Sequence, residues 1–458
     1  MAPPVRPRFR AERRATPEAE LVLAGRAWVG GRLQPFEIGF DGDGRICAVG
    51  RNVRGARRHD VGDRVLLPAA TDVHVHLREP GPPEAGETIA TGTVAAAVGG
   101  IGLVGEMPNT VPPTDSVDRI EEKEARVRGR AAVDVLLYAF PADPRSVRSL
   151  SRRAGGFKLY LSPTTGIDEV PSGPTLAVLL EALGQVDLPV VAHAEDPGLF
   201  RAGVTPTDAA GWDQLRPAEA EAAAVARLLQ APQQLRLHVA HVTTAAVARA
   251  VRERRLSFEA TAHHLLLASL PGRDARFKVN PPLRTEVERA GLWDEFRRGR
   301  VPIVASDHAP HPRAAKERRF DLAPSGVPGV ETTLPLLLAQ VAAGELALPV
   351  LLQSACDRPA RLLGRPLGRL SVGHRASVLV VDFRAVTRLR ADRLHSPCGW
   401  TPFEGSEVVF PVEHWKDGEP IVEGGEYVGR PTGRVVRPEF APGVVRPDPE
   451  DGAELGPR

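Results

Sequence analysis

The amino-acid sequence predicts an α/β protein built on a (β/α)8 barrel, with a small composite β-sandwich formed by the two flanks of the chain. Three observations support this fold class. Eight short apolar runs are each followed by a helix-compatible stretch, which is the alternation that such a barrel requires. Side chains that can bind metals end several of these runs, and the chain on either side of the alternation carries strands without intervening helices.

The eight apolar runs have the length and composition of buried strands. They span residues 65–76, 100–106, 133–140, 156–161, 188–193, 235–241, 257–263 and 301–307. Between them lie segments rich in Ala and Leu, such as 217–230 and 244–255, whose apolar spacing suits amphipathic helices. Active residues of a (β/α)8 barrel cluster at the carboxyl ends of its strands, so polar residues that end these runs are candidates for function.

The flanks of the chain differ from its middle. Residues 19–66 and 366–430 contain short Val-rich strands punctuated by glycine, and we expect them to pair into one composite β-sandwich. The barrel then spans residues 67–365. Residues 1–18 and 431–458 are rich in Pro, Arg, Gly or acidic residues and lack helical or strand periodicity, so both are expected to be mobile tails.

Length and composition exclude several classes of protein. A chain of 458 residues with 42% hydrophobic residues can bury a large core, which excludes disorder of the whole. The formal net charge is only +2, so no overall basic field indicates a nucleic-acid partner. Cys47, Cys356 and Cys398 are too scattered for a disulfide framework and are typical of a reducing compartment. The sequence shows no secretory or membrane-spanning pattern, and the expected location is the cytoplasm.

The first apolar run ends within the sequence DVHVHLREPG, residues 72–81, which contains His74 and His76. Side chains two residues apart on a strand point to the same face, so the two imidazoles lie side by side at the end of a buried strand. Histidine is the commonest metal ligand in proteins. This geometry predicts a metal site for which further ligands should follow downstream.

Candidate partners belong to four later runs. They are Lys158, His193, His241 and Asp307. Lys158 lies in a strand-like stretch, where an ammonium group is costly to bury without a partner. Snorkelling to solvent or pairing with an acid would also explain this lysine, and a single buried histidine is often only a hydrogen-bonded core residue. The occurrence of all four in such runs favours a shared metal centre.

Eight motifs together resemble those of the dihydroorotases of the amidohydrolase superfamily, over residues 67–405. They read DVHVHLREPG, GFKLYLS, VAHAE, HVAHVTT, TAHHLLL, NPPLR, ASDHAPH and GVPGVETTLPLLL. The resemblance implies a metal-dependent barrel enzyme that hydrolyses a cyclic amide. Its reaction would be the reversible hydrolysis of (S)-dihydroorotate to N-carbamoyl-L-aspartate, a step of de novo pyrimidine (UMP) biosynthesis.

The resemblance also implies two divalent metal ions, expected to be Zn²⁺. The ligands of the first ion would be His74, His76 and Asp307, and those of the second would be His193 and His241. Lys158, carbamylated by CO₂, would bridge both ions, which replaces a buried ammonium by an anionic oxygen ligand. A water shared by the ions would attack as hydroxide, while Asp307 accepts its proton and delivers it to the departing ring nitrogen.

Four residues are assigned to the substrate by the same resemblance. Arg78, Asn109 and His311 would hold its carboxylate, and Asn280 would lie near the pyrimidine ring. Arg78 follows His76 by two residues and therefore shares the same mouth, where a guanidinium can bind a carboxylate in bidentate fashion. A turn would also account for Asn109, and a stiff Pro-Pro connector would account for Asn280.

Other functions are compatible with these motifs. Allantoinase and dihydropyrimidinase use the same metals on different rings, but Arg78 and Asn109 favour a substrate with a carboxylate. An inactive scaffold that binds aspartate transcarbamoylase is disfavoured, because all six proposed metal ligands are present. Binding to aspartate transcarbamoylase alongside activity, and a homo-oligomer, are both compatible with the sequence. The expected ligand is a small-molecule substrate, with no nucleic acid or membrane as a partner.

Overall fold

A computed structural model describes residues 19–82, 86–164 and 166–440 of the chain. Within these ranges the chain forms a parallel (β/α)8 barrel and a mixed sheet that both flanks build together. The predicted tail at residues 1–18 lies outside the described residues, and so do residues 441–458 of the tail predicted at 431–458. No helix in the described ranges has the length and apolar character that crossing a bilayer requires.

The elements are numbered in chain order. The strands are β1 (Ala19–Val29), β2 (Arg32–Phe40), β3 (Ile46–Gly50), β4 (Gly55–Pro68), β5 (Ala70–Val75), β6 (Ile101–Glu106), β7 (Asp134–Ala139), β8 (Gly156–Tyr160), β9 (Pro189–His193), β10 (Arg236–Val239), β11 (Ser257–Thr261), β12 (Ile303–Ala305), β13 (Ser377–Val381), β14 (Thr387–Arg388), β15 (Glu407–Val408), β16 (Glu413–Lys416), β17 (Glu419–Glu423), β18 (Glu426–Tyr427) and β19 (Val435–Val436). The α-helices are α1 (Ile89–Val98), α2 (Val117–Val127), α3 (Val147–Leu150), α4 (Gly173–Gly184), α5 (Ala209–Leu215), α6 (Ala218–Leu228), α7 (Ala245–Glu253), α8 (Ala262–Leu266), α9 (Glu286–Arg297), α10 (Arg313–Lys316), α11 (Thr333–Ala342), α12 (Leu348–Leu351) and α13 (Arg358–Leu362). A π-helical segment, Leu352–Asp357, joins α12 to α13.

Strands β5 to β12 form the barrel, and each pairs in parallel with the next along the chain. The first and last strands meet through a parallel bridge between Val75 and His308. A hydrogen bond of 2.8 Å from the His76 amide to the His308 carbonyl supports this closure. The barrel is therefore nearly closed, and each of the eight predicted runs contains one of its strands. The predicted fold class is confirmed.

The first predicted run, residues 65–76, serves two sheets. Its first half forms the end of β4, which pairs antiparallel with β13 of the other flank. Its second half is β5, which starts the barrel. The chain passes from the flanking sheet to the barrel between Ala69 and Ala70. The amide of Ala69 donates to the Ser377 carbonyl, and the amide of Ala70 donates to the Gly100 carbonyl. Apolar composition cannot reveal this change, because both halves are buried.

The flanking strands join in one continuous sheet whose order is β18-β17-β16-β13-β4-β1-β2-β3. The two flanks meet where β4 pairs with β13. Both contribute to its apolar core, with Leu23, Ile38 and Leu66 from the first flank and Val378 and Trp415 from the second. The predicted composite of both flanks is confirmed, and hydrogen bonds connect its strands as a single sheet.

The helices carry local start signals and an apolar face. In α7, Val247, Ala248 and Val251 are buried, and the side chain of Thr244 caps the first turn. Helix α9 begins with a capping box. Helices α6 and α7 lie within the two segments for which the sequence predicted helices. The start of each helix is also the end of the loop that follows a barrel strand. These loops carry the candidate site.

The sequence predicted a mobile tail from residue 431, but residues 431–440 pack against the barrel. Strand β19 pairs in parallel with the start of β7. It lies on the same edge of β7 as β8, which pairs only with the last two residues of β7, while β6 occupies the other edge. Gly433 permits this approach, because a Cβ at this position would lie 2.1 Å from the Val133 carbonyl oxygen. The segment has too few apolar residues to show a period, and its order depends on an edge supplied by a distant part of the chain.

Candidate active site and metal centre

Nine of the ten residues that the sequence singles out line one cleft at the carboxyl end of the barrel strands. They are His74, His76, Arg78, Asn109, Lys158, His193, His241, Asn280 and Asp307. The tenth, His311, lies beside the cleft, with its Nε2 3.2 Å from Nη2 of Arg78. Residues far apart in the chain therefore meet, because parallel barrel strands end at the same rim.

The Nδ1 atoms of His74 and His76 each contact a buried hydrogen-bond acceptor. Nδ1 of His74 lies 2.6 Å from Oε1 of Glu259, and Nδ1 of His76 lies 2.6 Å from Oδ1 of Asn109. When each Nδ1–H donates to its oxygen, the lone pair of Nε2 faces the cleft. Burial lowers the pKa of His74 to about 4. This imidazole is therefore neutral near pH 7, as metal ligation requires.

His193 and His241 form a second pair. Nδ1 of His193 lies 2.9 Å from Nε2 of His241, and Nε2 of His193 lies 2.9 Å from Oε2 of Glu195. Burial alone would raise the pKa of Glu195, but the charge of Arg216 and its hydrogen bonds hold this pKa well below the usual range. An ionised Glu195 fixes the proton of His193 on Nε2, so Nδ1 is the atom that can bind a cation.

Lys158 lies on β8 and is 1% exposed. Its Nζ lies 3.2 Å from Nε2 of His74, and it forms no ion pair with a carboxylate of the described residues. Burial lowers the pKa of this amine to about 8. Neither snorkelling to solvent nor pairing with an acid accounts for this lysine, since its side chain is almost fully buried and has no acidic ion-pair partner in the described ranges.

The donor atoms of the cleft fit a divalent cation. One ligand atom from each of His74, His241 and Asp307 lies within 4.8 Å of the others, and all three residues are buried. Oδ1 of Asp307 also lies 3.1 Å from Nε2 of His76. Nδ1 of His241 is buried and has no hydrogen-bond partner in the described part of the chain. A set of imidazole nitrogens and carboxylate oxygens suits zinc and similar metals.

Three residues of the cleft adopt a left-handed backbone conformation. The φ angles are 59° for Arg78, 39° for His241 and 44° for Asp307. Residues other than glycine rarely adopt positive φ, and such strain clusters at functional sites. His241 and Asp307 each follow the last residue of a barrel strand by two positions. The turn directs their side chains into the cleft.

Arg78 offers a buried positive charge to the cleft. The residue is 9% exposed, and its Nε donates to the Pro310 carbonyl at 3.3 Å. Its guanidinium forms no ion pair with a carboxylate within the described ranges. Guanidinium groups bind carboxylates and phosphates through two parallel hydrogen bonds. Arg78 can therefore pair with an anionic group that enters the cleft.

The two asparagines of the cleft are both held by neighbours. Oδ1 of Asn109 accepts from Nδ1 of His76, so this side chain orients a candidate metal ligand. Oδ1 of Asn280 accepts from Nε1 of Trp212 at 3.1 Å. Nε2 of His264 lies 3.0 Å from the carbonyl oxygen of Pro281 and anchors the loop that carries Asn280. Both asparagines line the cleft, as the sequence predicts.

Three further residues contact the candidate ligands or line the cleft, although the sequence did not single them out for the site. They are Glu259, Glu195 and Tyr160. Oε2 of Glu259 lies 2.9 Å from Nε2 of His238, so this carboxylate joins His238 to the candidate ligand His74. Tyr160 lines the cleft, and its hydroxyl is buried with no hydrogen-bond partner in the part of the chain that the structure describes. The available signal was a polar residue at an inward position of an apolar strand, two places from a ligand or strand end.

The fold and the set of candidate ligands are typical of metal-dependent barrel hydrolases. A family model described as Dihydro-orotase-like matches residues 63–142, which contain His74, His76 and Asn109. A dihydroorotase of Halobacterium salinarum is 37% identical over 414 residues, which are 88% of this chain and 96% of the relative. A dihydroorotase of Bacillus caldolyticus is 37% identical over 367 residues, 76% of this chain and 84% of the relative. The chain belongs to the dihydroorotase family.

Solved structures with related names share the fold. L-hydantoinase (dihydropyrimidinase) from Arthrobacter aurescens matches with a TM-score of 0.86 and 26% identity, over 92% of this chain and 100% of that chain. Dihydropyrimidinase from Brevibacillus agri matches with a TM-score of 0.83, over 93% of this chain and 99% of that chain. At 23% identity the second likeness concerns the fold alone. Together with the curated relatives, these similarities make the chain a metal-dependent cyclic amidohydrolase.

Proposed function

We propose that this protein is a dihydroorotase, which hydrolyses the cyclic amide of (S)-dihydroorotate reversibly to N-carbamoyl-L-aspartate in de novo pyrimidine biosynthesis. The observation that carries the proposal is the buried guanidinium of Arg78 beside the candidate metal ligands, without a carboxylate partner in the described ranges. Dihydroorotate and its product both carry a carboxylate for this group, whereas dihydrouracil and hydantoin carry none. The names of the curated relatives agree with this choice.

We propose two divalent metal ions in the cleft, both Zn²⁺. The ligands of the first would be His74, His76 and Asp307, and those of the second would be His193 and His241. The two imidazole pairs are close, with ring centroids of His74 and His241 5.4 Å apart, which supports one shared centre. When bound, the ions would supply Lewis acidity toward the amide oxygen and lower the pKa of a shared water.

Lys158 is proposed to carry a carbamate. Its neutral amine would form a bond from Nζ to the carbon of CO₂ and release one proton, which leaves an anionic group on the side chain. Complete burial without an acidic partner supports this reaction, because the carbamate removes an uncompensated ammonium from the interior. A pKa lowered to about 8 supports it too, since part of the amine is then neutral near pH 7. The carbamate oxygens would become bridging ligands.

Asp307 is proposed to move the proton of the reaction. Its carboxylate would accept a proton from the attacking water as the oxygen bonds to the ring carbonyl carbon. It would then donate that proton to the ring nitrogen as the carbon–nitrogen bond breaks. In ring closure the same carboxylate accepts the proton of the ureido nitrogen and returns it to the departing water. The contact of Oδ1 with Nε2 of His76 at 3.1 Å supports a fixed position for this group.

Substrate orientation is proposed to depend on Arg78, Asn109 and His311 at the carboxylate and on Asn280 at the ring. Nη2 of Arg78 lies 3.2 Å from Nε2 of His311, which supports a place for both side chains beside one anion. Because Asn109 also contacts His76, its replacement would disturb the metal site and the substrate together. Asn280 is held by Trp212 and therefore presents a fixed amide to the cleft.

A second candidate function is hydrolysis of a hydantoin or dihydropyrimidine ring, which the close structural match to L-hydantoinase favours. The decisive experiment is a parallel assay of the purified, metal-loaded protein with dihydroorotate, dihydrouracil, hydantoin and allantoin. We expect dihydroorotate to be preferred in kcat/KM by roughly 10–100-fold, since a charged hydrogen-bonded pair contributes about 1.5–3 kcal/mol. Turnover of dihydrouracil, hydantoin or allantoin with dihydroorotate untouched would overturn the proposal.

Location and partners follow from the proposed activity. A cytoplasmic location is supported by three cysteines that form no disulfide. Binding to aspartate transcarbamoylase and self-association stay predictions, which light scattering of the protein with and without that enzyme would test. An inactive scaffold is disfavoured, because every proposed metal ligand is present in the cleft.

A further inference from the structure

A second cavity lies where the flanking sheet meets the barrel. Its walls include Trp28 and Phe36 from β1 and β2, Pro68 at the end of β4, and the π-helical segment with α13. It opens beside the start of β5, at the other end of that strand from the candidate metal ligands. Its volume of about 610 Å³ lies within the range of small-molecule sites.

The charges of this cavity are not balanced. Three guanidinium groups and one carboxylate line it, those of Arg358, Arg361, Arg369 and Asp357. Asp357 is engaged by Arg369, whose Nε and Nη2 lie 2.6 and 2.8 Å from its two oxygens. Neither Arg358 nor Arg361 forms an ion pair within the described ranges, and Nε of Arg361 is buried there without a hydrogen-bond partner. Two positive charges therefore face the cavity without an ion-pair partner among the residues that the structure describes.

Arg358 and Arg361 lie one turn apart on α13. Burial, and then the charge of Arg361, lower the pKa of Arg358. Each guanidinium disfavours the other, and an anion between them would relieve this repulsion. A phosphate monoester carries a charge of about −1.5 to −2 at pH 7, which matches two guanidinium groups better than a single carboxylate does.

The remaining walls favour a flat apolar group next to the anion. Trp28 is 37% exposed, which leaves part of a large aromatic ring open to a ligand. Phe36, Leu67 and Leu370 add apolar surface to the same cavity. Aromatic side chains stack on nucleobases, and this stacking depends little on which base is present.

The local backbone shapes this cavity. The π-helical segment ends directly before Arg358, and π-helical turns often occur at functional sites. Gly368 has a φ of 77°, and a Cβ there would lie 2.2 Å from the carbonyl oxygen of Cys356. Only glycine therefore lets residues 368–371 approach the π-helical segment and complete the wall.

We infer that this cavity binds a small phosphate ester with a flat ring, of the nucleoside monophosphate class. Its phosphate would pair with Arg358 and Arg361, and its ring would lie against Trp28. The inference concerns a site separate from the catalytic cleft and does not depend on the proposed reaction.

The test is calorimetric titration of the whole protein with adenosine monophosphate, adenosine and inorganic phosphate. We expect one site for adenosine monophosphate and at least roughly 10-fold weaker binding of the other two probes, because each supplies half of the contacts. Saturating dihydroorotate should leave this binding unchanged. No binding of adenosine monophosphate, or its displacement by dihydroorotate, would overturn the inference, since displacement assigns the ligand to the catalytic cleft.

Variants separate the two halves of the site. Arg361→Gln and the double variant Arg358→Gln/Arg361→Gln should weaken adenosine monophosphate by at least roughly 10-fold, and Trp28→Ala should weaken it without changing the binding of phosphate. Arg384→Gln is the matched control, because Arg384 is exposed and pairs with Asp382 outside the cavity. Unchanged affinity in the single arginine variant and in Trp28→Ala, with a native melting curve, would also overturn the inference.

Discussion

The side chain of Asp307 is proposed to serve both as a metal ligand and as the group that transfers the proton. Its φ of 44° directs the carboxylate toward His74 and His76, where it can act as a ligand. The same oxygens face the cleft in which the substrate is proposed to lie. Ligation needs an oxygen donor, whereas proton transfer needs a group that can accept and release a proton. An amide retains the first property and lacks the second.

Asp307→Asn is therefore expected to lower kcat for dihydroorotate by roughly 10²–10⁴-fold while metal remains bound. Steady-state kinetics and the metal-to-protein ratio by mass spectrometry measure the two effects. Asp294→Asn is the control, because Asp294 lies on α9 and pairs with Arg297 at the surface. Near-normal turnover of Asp307→Asn would refute the role in proton transfer.

Arg78→Lys tests the proposed carboxylate site. Lysine keeps the charge but lacks the planar fork, so we expect KM for dihydroorotate to rise by roughly 10–100-fold, with a smaller change in kcat and unchanged metal content. Arg384→Lys, at an exposed ion pair, should leave all three quantities as they are. An unchanged KM in Arg78→Lys would contradict the assignment of this residue to the substrate.

At the scale of elements, two buried lysines hold the loop between α10 and α11. Nζ of Lys316 lies 2.8 Å from the carbonyl oxygen of Pro324 and 2.9 Å from that of Gly326. Nζ of Lys278 lies 2.8 Å from the carbonyl oxygens of Phe320 and Ala323. Gly326 lines the catalytic cleft. The two lysine amines therefore fix one wall of the cleft by donating hydrogen bonds to backbone carbonyls.

Lys316→Met is expected to destabilise the fold and to raise KM for dihydroorotate, because the carbonyl groups lose their donor and the wall moves. Each carbonyl left buried without a donor costs about 1–3 kcal/mol. Lys416→Met is the control, since Lys416 on β16 is also buried but pairs with Asp134 at the start of β7 and with Asp417, away from the cleft. Thermal melting and steady-state kinetics measure both variants. A KM shift of equal size in Lys416→Met would show a general loss of stability instead.

Elements differ in how well their sequence predicts them. The eight barrel strands are predictable because each is a buried parallel strand and therefore a nearly continuous apolar run. The boundary between β4 and β5 within residues 65–76 cannot be predicted, because the two strands differ in their hydrogen-bond partners and not in their composition. Strand β19 is not predictable either, since two residues carry no period and their order depends on β7.

At the scale of the whole molecule, the proposed ligands come from several barrel strands and the turns that follow them. Binding of a cation to the folded state would stabilise the closed barrel, because the unfolded chain cannot gather these ligands. Removal of metal with a chelator is therefore expected to lower Tm by several degrees, and added Zn²⁺ should restore it. Scanning calorimetry measures the shift.

The double variant His193→Ala/His241→Ala provides the comparison for metal removal. Its proposed second ion would be lost, so the chelator should lower its Tm by less than it lowers that of the unaltered protein. Equal shifts in both proteins would contradict a metal centre that includes these two histidines.

The barrel, the flanking composite and the six candidate metal ligands can be predicted from the chain alone, because apolar periodicity and residue type at strand ends are local properties. The contacts of Glu259 and Asn109 with Nδ1 of His74 and His76, and of Glu195 with Nε2 of His193, become visible only in the folded molecule. The same is true of the course of residues 431–440. Hydrogen bonds between distant segments depend on where barrel closure brings those segments, and no pattern along the chain records that position.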